Sequence, residues 1–99
     1  MIPYDERKAV YENAIAHYGM RSQIGVAVEE MAELTKELAR LDRHEGTTLG
    51  KLIDEIADVT IMLEQLRLMF NVNQPVQDRI DYKVERLVWR MEKENQQEG

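Results

Sequence analysis

Apolar residues recur every three to four positions along most of this chain, through long stretches that proline does not interrupt. That spacing puts them on one face of a helix, whereas a strand would need strict alternation, and none is found. The clearest stripe is Ile24, Ala27, Val28, Met31, Leu34, Leu38 and Leu41, which predicts a helix over 22–42 with Ser22 as its N-cap. A polar turn over 43–47 contains Gly46. Thr48 then caps a third helix reaching about Phe70, with Leu52, Ile53, Ile56, Val59, Leu63 and Leu66 as its core stripe. After a break over 71–74, Pro75 suits the first turn of a fourth helix carrying Val76, Ile80, Val84, Leu87, Val88 and Met91. Ahead of these, a first helix over 5–17 ends at Tyr18-Gly19. The expectation is one all-α domain over 1–99, a four-helix bundle with a polar tail over 94–99.

Composition narrows the partners. A net charge of −6 lacks the basic footprint that non-specific binding to a nucleic-acid polymer needs. With no cysteine, thiolate metal sites and disulfides are excluded. No apolar run approaches the ~18 residues of a membrane span, and the N-terminus shows no basic-then-apolar leader pattern, so the expected location is cytoplasmic, with no membrane partner. His17 and His44 have no partner at ligand spacing and read as helix-end and turn residues.

The chemistry concentrates in two acid pairs, Glu30 with Glu33 and Glu55 with Asp58. Spacing of i, i+3 puts both members of each pair on one side of a helix. At about 100° per residue, Glu30 and Glu33 are offset from Met31 in the same sense as Glu55 and Asp58 from Ile56. Two facing antiparallel helices share a side where offsets have equal sign, so both pairs should line one edge of a hairpin. Glu30 and Asp58 are equidistant in sequence from position 44, as are Glu33 and Glu55, so a turn pivoting there brings all four to one level. Converging carboxylates repel unless cations neutralise them, and magnesium, a hard cation taking oxygen ligands, suits such a site, with manganese as substitute. The competing account is a solvated glutamate patch.

The pattern Glu29-Glu30-x-x-Glu33, then Glu55-x-x-Asp58, resembles the signature of the all-alpha nucleotide pyrophosphohydrolases, most of all the minimal MazG-like type. The resemblance spans roughly 23–90. It implies that Glu30, Glu33, Glu55 and Asp58 are magnesium ligands in the catalytic centre. It also implies that the reaction converts a nucleoside triphosphate to its monophosphate and pyrophosphate. Val59-Thr60 stands where phosphoribosyl-ATP pyrophosphohydrolases show an aromatic-histidine pair, which weakens that alternative. Glu29 matches the first acid of the motif but points away from the pair edge, as a surface residue would. A non-catalytic helical assembly module is the alternative from another class.

Arg79, Lys83, Arg86 and Arg90 form a basic stripe on the fourth helix, and Lys83 and Arg86 are the expected phosphate contacts, the rival role being ion pairing with Asp78, Asp81 and Glu85. Lys51 mirrors Glu37 about position 44 and is expected to pair with it. Tyr82 and Trp89 oppose the core stripe of the fourth helix, and Ile61, Met62, Leu68 and Met69 make a second apolar flank on the third. A four-helix monomer cannot bury all of these, so a homodimer or homotetramer is expected.

Overall fold

A computed structural model describes residues 1–98, the side chains of Tyr4 and Glu98 excepted. Among the described residues it is all-helical and without strands: α1 (Tyr4–Tyr18), α2 (Met20–Asp42), α3 (Leu49–Met69) and α4 (Asn73–Glu98). Among the described residues, no helix is long and apolar enough to cross a membrane.

Punctuation in the chain sets the helix ends. Gly19, at φ 93° and ψ 148°, is the whole connection between α1 and α2, in a conformation that side chains disfavour. Its amide donates to the Ile15 carbonyl at 2.9 Å, and its own carbonyl accepts from Gln23 at 3.1 Å. Helix α2 therefore starts at Met20, and Ser22 lies inside it instead of capping it. Thr48 does cap α3, its hydroxyl accepting the Lys51 amide at 3.1 Å. Both α2 and α3 close in paired hydrogen bonds around a left-handed residue, the Schellman pattern. For α2, Glu45 N–H reaches Arg40 and His44 N–H reaches Leu41, with His44 at φ 57°. For α3, Val72 reaches Arg67 and Asn71 reaches Leu68, with Asn71 at φ 52°. The polar segment expected as a tail continues α4 to Glu98, since Glu and Gln are good helix formers and nothing there breaks the helix. Gly99 lies outside the described residues.

Helices α2 and α3 form an antiparallel hairpin, and α1 packs against both. The inward faces keep part of those expected: Ala27 and Val59 are buried, and Ile24, Leu34, Leu52 and Leu66 are half-buried. On α2 the buried residues are Gln23, Ala27 and Glu37, and on α3 they are Val59, Met62 and Gln65. Val28, Met31, Leu38, Ile53, Ile56 and Leu63, all expected in the core, are exposed. Part of the flank expected to be surplus is used as well: Met62 is buried and Leu68 and Met69 are half-buried, while Ile61 stays exposed. The cause is α1, which covers that side of the hairpin, with Tyr11 buried and its hydroxyl donating to Glu64.

Among the described residues, helix α4 touches only α3 and packs on neither α1 nor α2. At its root Val76 and Ile80 line an apolar pocket together with Leu63, Leu66 and Phe70 of the α3 end, and Arg67 donates to Asn73 at 3.4 Å. Beyond the root the helix is exposed. The radius of gyration is 17.4 Å, against about 13 Å for a compact chain of this length. The fourth helix thus does not complete a closed bundle within one chain.

Candidate metal centre

Two polar clasps, built on the buried side chains of Gln23, Gln65 and Glu37, hold the α2–α3 hairpin in register. Farthest from the turn, Gln23 Nε2 donates to Gln65 Oε1 at 2.8 Å, and both side chains are buried. Nearest the turn, Glu37 has no exposed surface. It accepts from Thr47 Oγ1 at 2.6 Å and from Arg40 Nη1 at 3.3 Å. The Thr47 hydroxyl is the main cause holding the Glu37 carboxyl below its ordinary range, against the opposing effect of burial. Lys51 does not bond Glu37 as expected; it acts only as a nearby positive charge, and Arg40 makes the ion pair. Between these two clasps lie Glu30 and Asp58, with carboxylate oxygens within 4.8 Å of each other. Gln23 and Gln65 are equidistant from position 44, as Glu30 and Asp58 are, so the hairpin pivots where the acid spacing requires.

At that middle level one carboxylate oxygen each from Glu30, Glu55 and Asp58 lies within 4.8 Å of the other two. Glu30 and Glu55 are half-buried in the seam, while Asp58 is exposed at its rim. This is deeper than the edge position expected for the acids, because each helix is turned to present Glu30 and Glu55 inward. Glu33 is exposed and stands outside the trio, although its charge is felt at Glu30. Glu29 is exposed. Burial is the largest cause raising the Glu30 pKa, followed by the charges of Asp58 and Glu55, the hydrogen bond with Asp58 and the charge of Glu33. Among the described residues, Oε2 of Glu55 is buried and meets no hydrogen-bond donor. A buried carboxylate oxygen without a donor is costly, and a cation is the natural group to satisfy it. The donor set is wholly oxygen, as a hard cation such as magnesium requires. The residues fit such an ion.

The structure does not bring Lys83 and Arg86 to these acids. Both are exposed on α4 beyond its root, and no ion pair joins either to an acid among the described residues. Arg79 lies over the Tyr82 ring at 4.8 Å, and Asp78 and Asp81 accept hydrogen bonds from Gln74 and Gln77 instead of from the basic stripe. The reason is the departure of α4 from the hairpin, which helical periodicity does not encode. The clasps at Gln23–Gln65 and Glu37–Thr47 are the residues that stripe reading passes over. The symmetry about position 44 is a signal that finds the first pair, whereas the second depends on how the turn folds back. Comparison of the chain with known protein families, with curated proteins and with solved structures finds no match.

Proposed function

We propose that this chain is a magnesium-dependent nucleoside triphosphate pyrophosphohydrolase of the MazG-like type, working in the cytoplasm and releasing nucleoside monophosphate and pyrophosphate. The observation that carries the reading is the acid trio with its unsatisfied Glu55 oxygen, set at the level where the motif acids converge. Glu30, Glu55 and Asp58 would hold the ion, and Glu33, whose charge is felt at Glu30, would join through water or substrate. Bound there, magnesium supplies charge neutralisation for phosphate oxygens and lowers the pKa of a coordinated water. The chain's own part is positional. The glutamine and Glu37–Thr47 clasps fix the hairpin register, so the carboxylates are held ready before substrate arrives. Burial and the charges of Asp58 and Glu55 raise the Glu30 pKa, so a cation in the seam would offset the cost of ionising it. Asp58, at the solvent edge, marks the side from which a phosphate chain approaches.

The test is a panel of canonical and modified nucleoside triphosphates with magnesium, read for pyrophosphate and orthophosphate separately. Pyrophosphate should appear from at least one substrate. Glu55→Gln should cut turnover by a hundredfold or more, on the order of 3 kcal/mol in the barrier. Release of orthophosphate alone, or turnover unchanged in Glu55→Gln, rejects the reading.

A further inference from the structure

The basic stripe of α4 does not reach the acid trio, and its neighbours on the helix give it another use. Side chains advance by about 100° per residue along a helix. Arg79, Lys83, Arg86, Arg90 and Lys93 therefore fall within an arc of about 120° centred on Arg86. Tyr82 and Trp89 fall inside the same arc. Asp78, Asp81, Glu85, Glu92 and Glu94 all lie about 80° or more from its centre. The apolar stripe of Ile80, Val84, Leu87 and Met91 lies farther round, at about 100–160°. The cations and both aromatics of the arc are exposed. Among the described residues, no ion pair engages these cations. The net charge of −6 is thus an average over faces. It hides an acid-free band of cations running about 21 Å along α4.

The aromatics decide the partner. Arg79 lies over the Tyr82 ring and Lys93 over the Trp89 ring, each at 4.8 Å, so each flat ring stands beside a positive charge. Tyr82, Arg86 and Trp89, with Glu85, line an open concavity of about 380 Å³. A helix that lies on an anionic membrane keeps its Trp on the apolar face and its cations on the opposite one. Here the rings share the cationic face instead. Rings interleaved with cations suit an unpaired nucleic-acid strand, in which every base offers a π-face to stack and every phosphate a charge to neutralise. A duplex turns its base faces inward and could use the charges alone. We propose that this face of α4 binds single-stranded nucleic acid without sequence preference, Tyr82 and Trp89 stacking on bases while the five cations track the phosphates. The inference does not rest on the enzymatic reading, since no acid of the metal centre takes part.

Trp89 is the only tryptophan, so its emission reports stacking directly. With EDTA keeping metal out of the acid trio, an oligothymidine strand of about twelve nucleotides should bind at low salt and quench that emission. Followed by the anisotropy of an end-labelled strand, log K should fall with log salt at a slope of about −3.5, the value for five phosphates neutralised on a single strand. Arg86→Gln should make the slope shallower by about 0.7. Trp89→Leu should weaken binding about tenfold with the slope nearly unchanged, because it removes a stacking platform and no charge. Lys8→Gln, altering an exposed cation of α1, should change neither quantity. A duplex with the same number of phosphates should bind more weakly and leave Trp89 unquenched. The proposal is overturned by a strand that does not bind at low salt, by a bound strand that leaves Trp89 unquenched, or by equal losses in Arg86→Gln and Lys8→Gln. Binding to vesicles of phosphatidylcholine and phosphatidylserine, with none to the strand, would assign the face to a membrane and reject it as well.

Discussion

Glu30 and Glu37 sit seven residues apart on the same face of α2, yet their surroundings push their protons in opposite directions. Burial and the neighbouring acids raise the Glu30 pKa above its ordinary 4.5. The folded state then binds more protons than the unfolded one between 4.5 and the raised value, so the stability of the metal-free protein falls as pH rises through that window. Thr47 and Arg40 lower the Glu37 pKa, so its contribution is present above 4.5 and is lost as pH falls through the lowered value. For these two groups the metal-free protein is most stable near pH 4.5. Urea denaturation across the acid and neutral range isolates each by difference. Glu30→Gln should flatten the upper limb and leave the metal-free protein more stable than wild type at neutral pH. Glu37→Gln should change the lower limb. An upper limb identical in wild type and Glu30→Gln would show that the seam does not perturb this carboxyl.

At the scale of elements, the hairpin depends on polar register marks as much as on apolar contact. Gln23→Leu should cost about 1–3 kcal/mol, because it strands the buried amide of Gln65. Gln23→Leu with Gln65→Leu should recover most of that loss, since neither helix then buries an unpaired polar group. Equal thermal midpoints for the single and double variants would remove the hydrogen bond as the cause. The same contacts show what periodicity can and cannot convey. The helices, the Gly19 stop, the Thr48 cap and the hairpin pivot at position 44 were all legible, because each rests on local backbone chemistry or on spacing. The acids were legible as a convergent group, but Glu33 falls outside the trio. Which edge of each apolar stripe faces inward was not legible: Met31 and Ile56 carry as much hydrophobic drive as Ala27 and Val59 of the same stripes. What decides between them is where α1 lands, which is a non-local fact. The fate of α4 was hidden for the same reason, since its stripe reads identically whether its own chain or another covers it.

For the whole molecule, the acid seam couples metal binding to folding. The three carboxylates lie on two helices joined only by the residue 43–48 turn, so bringing them together is part of forming the hairpin, and unfolding disperses them. An ion that binds the folded seam and not the unfolded chain stabilises it by about 2.7 kcal/mol when present at a hundred times its Kd. For a domain of this size that raises Tm by roughly 10 °C or more. Magnesium chloride should produce this shift, and sodium chloride at equal ionic strength should not, because screening alone leaves the buried Glu55 oxygen unsatisfied. Glu55→Gln should lose most of the increment. Glu29→Gln, altering an exposed acid outside the trio, should keep it. Manganese should act in the same direction as magnesium, having the same preference for oxygen ligands. The pattern across variants carries the argument: a magnesium shift of the same size in Glu55→Gln and Glu29→Gln would mean that the ion acts on diffuse surface charge, and the seam would then be a solvated acidic patch instead of a metal centre.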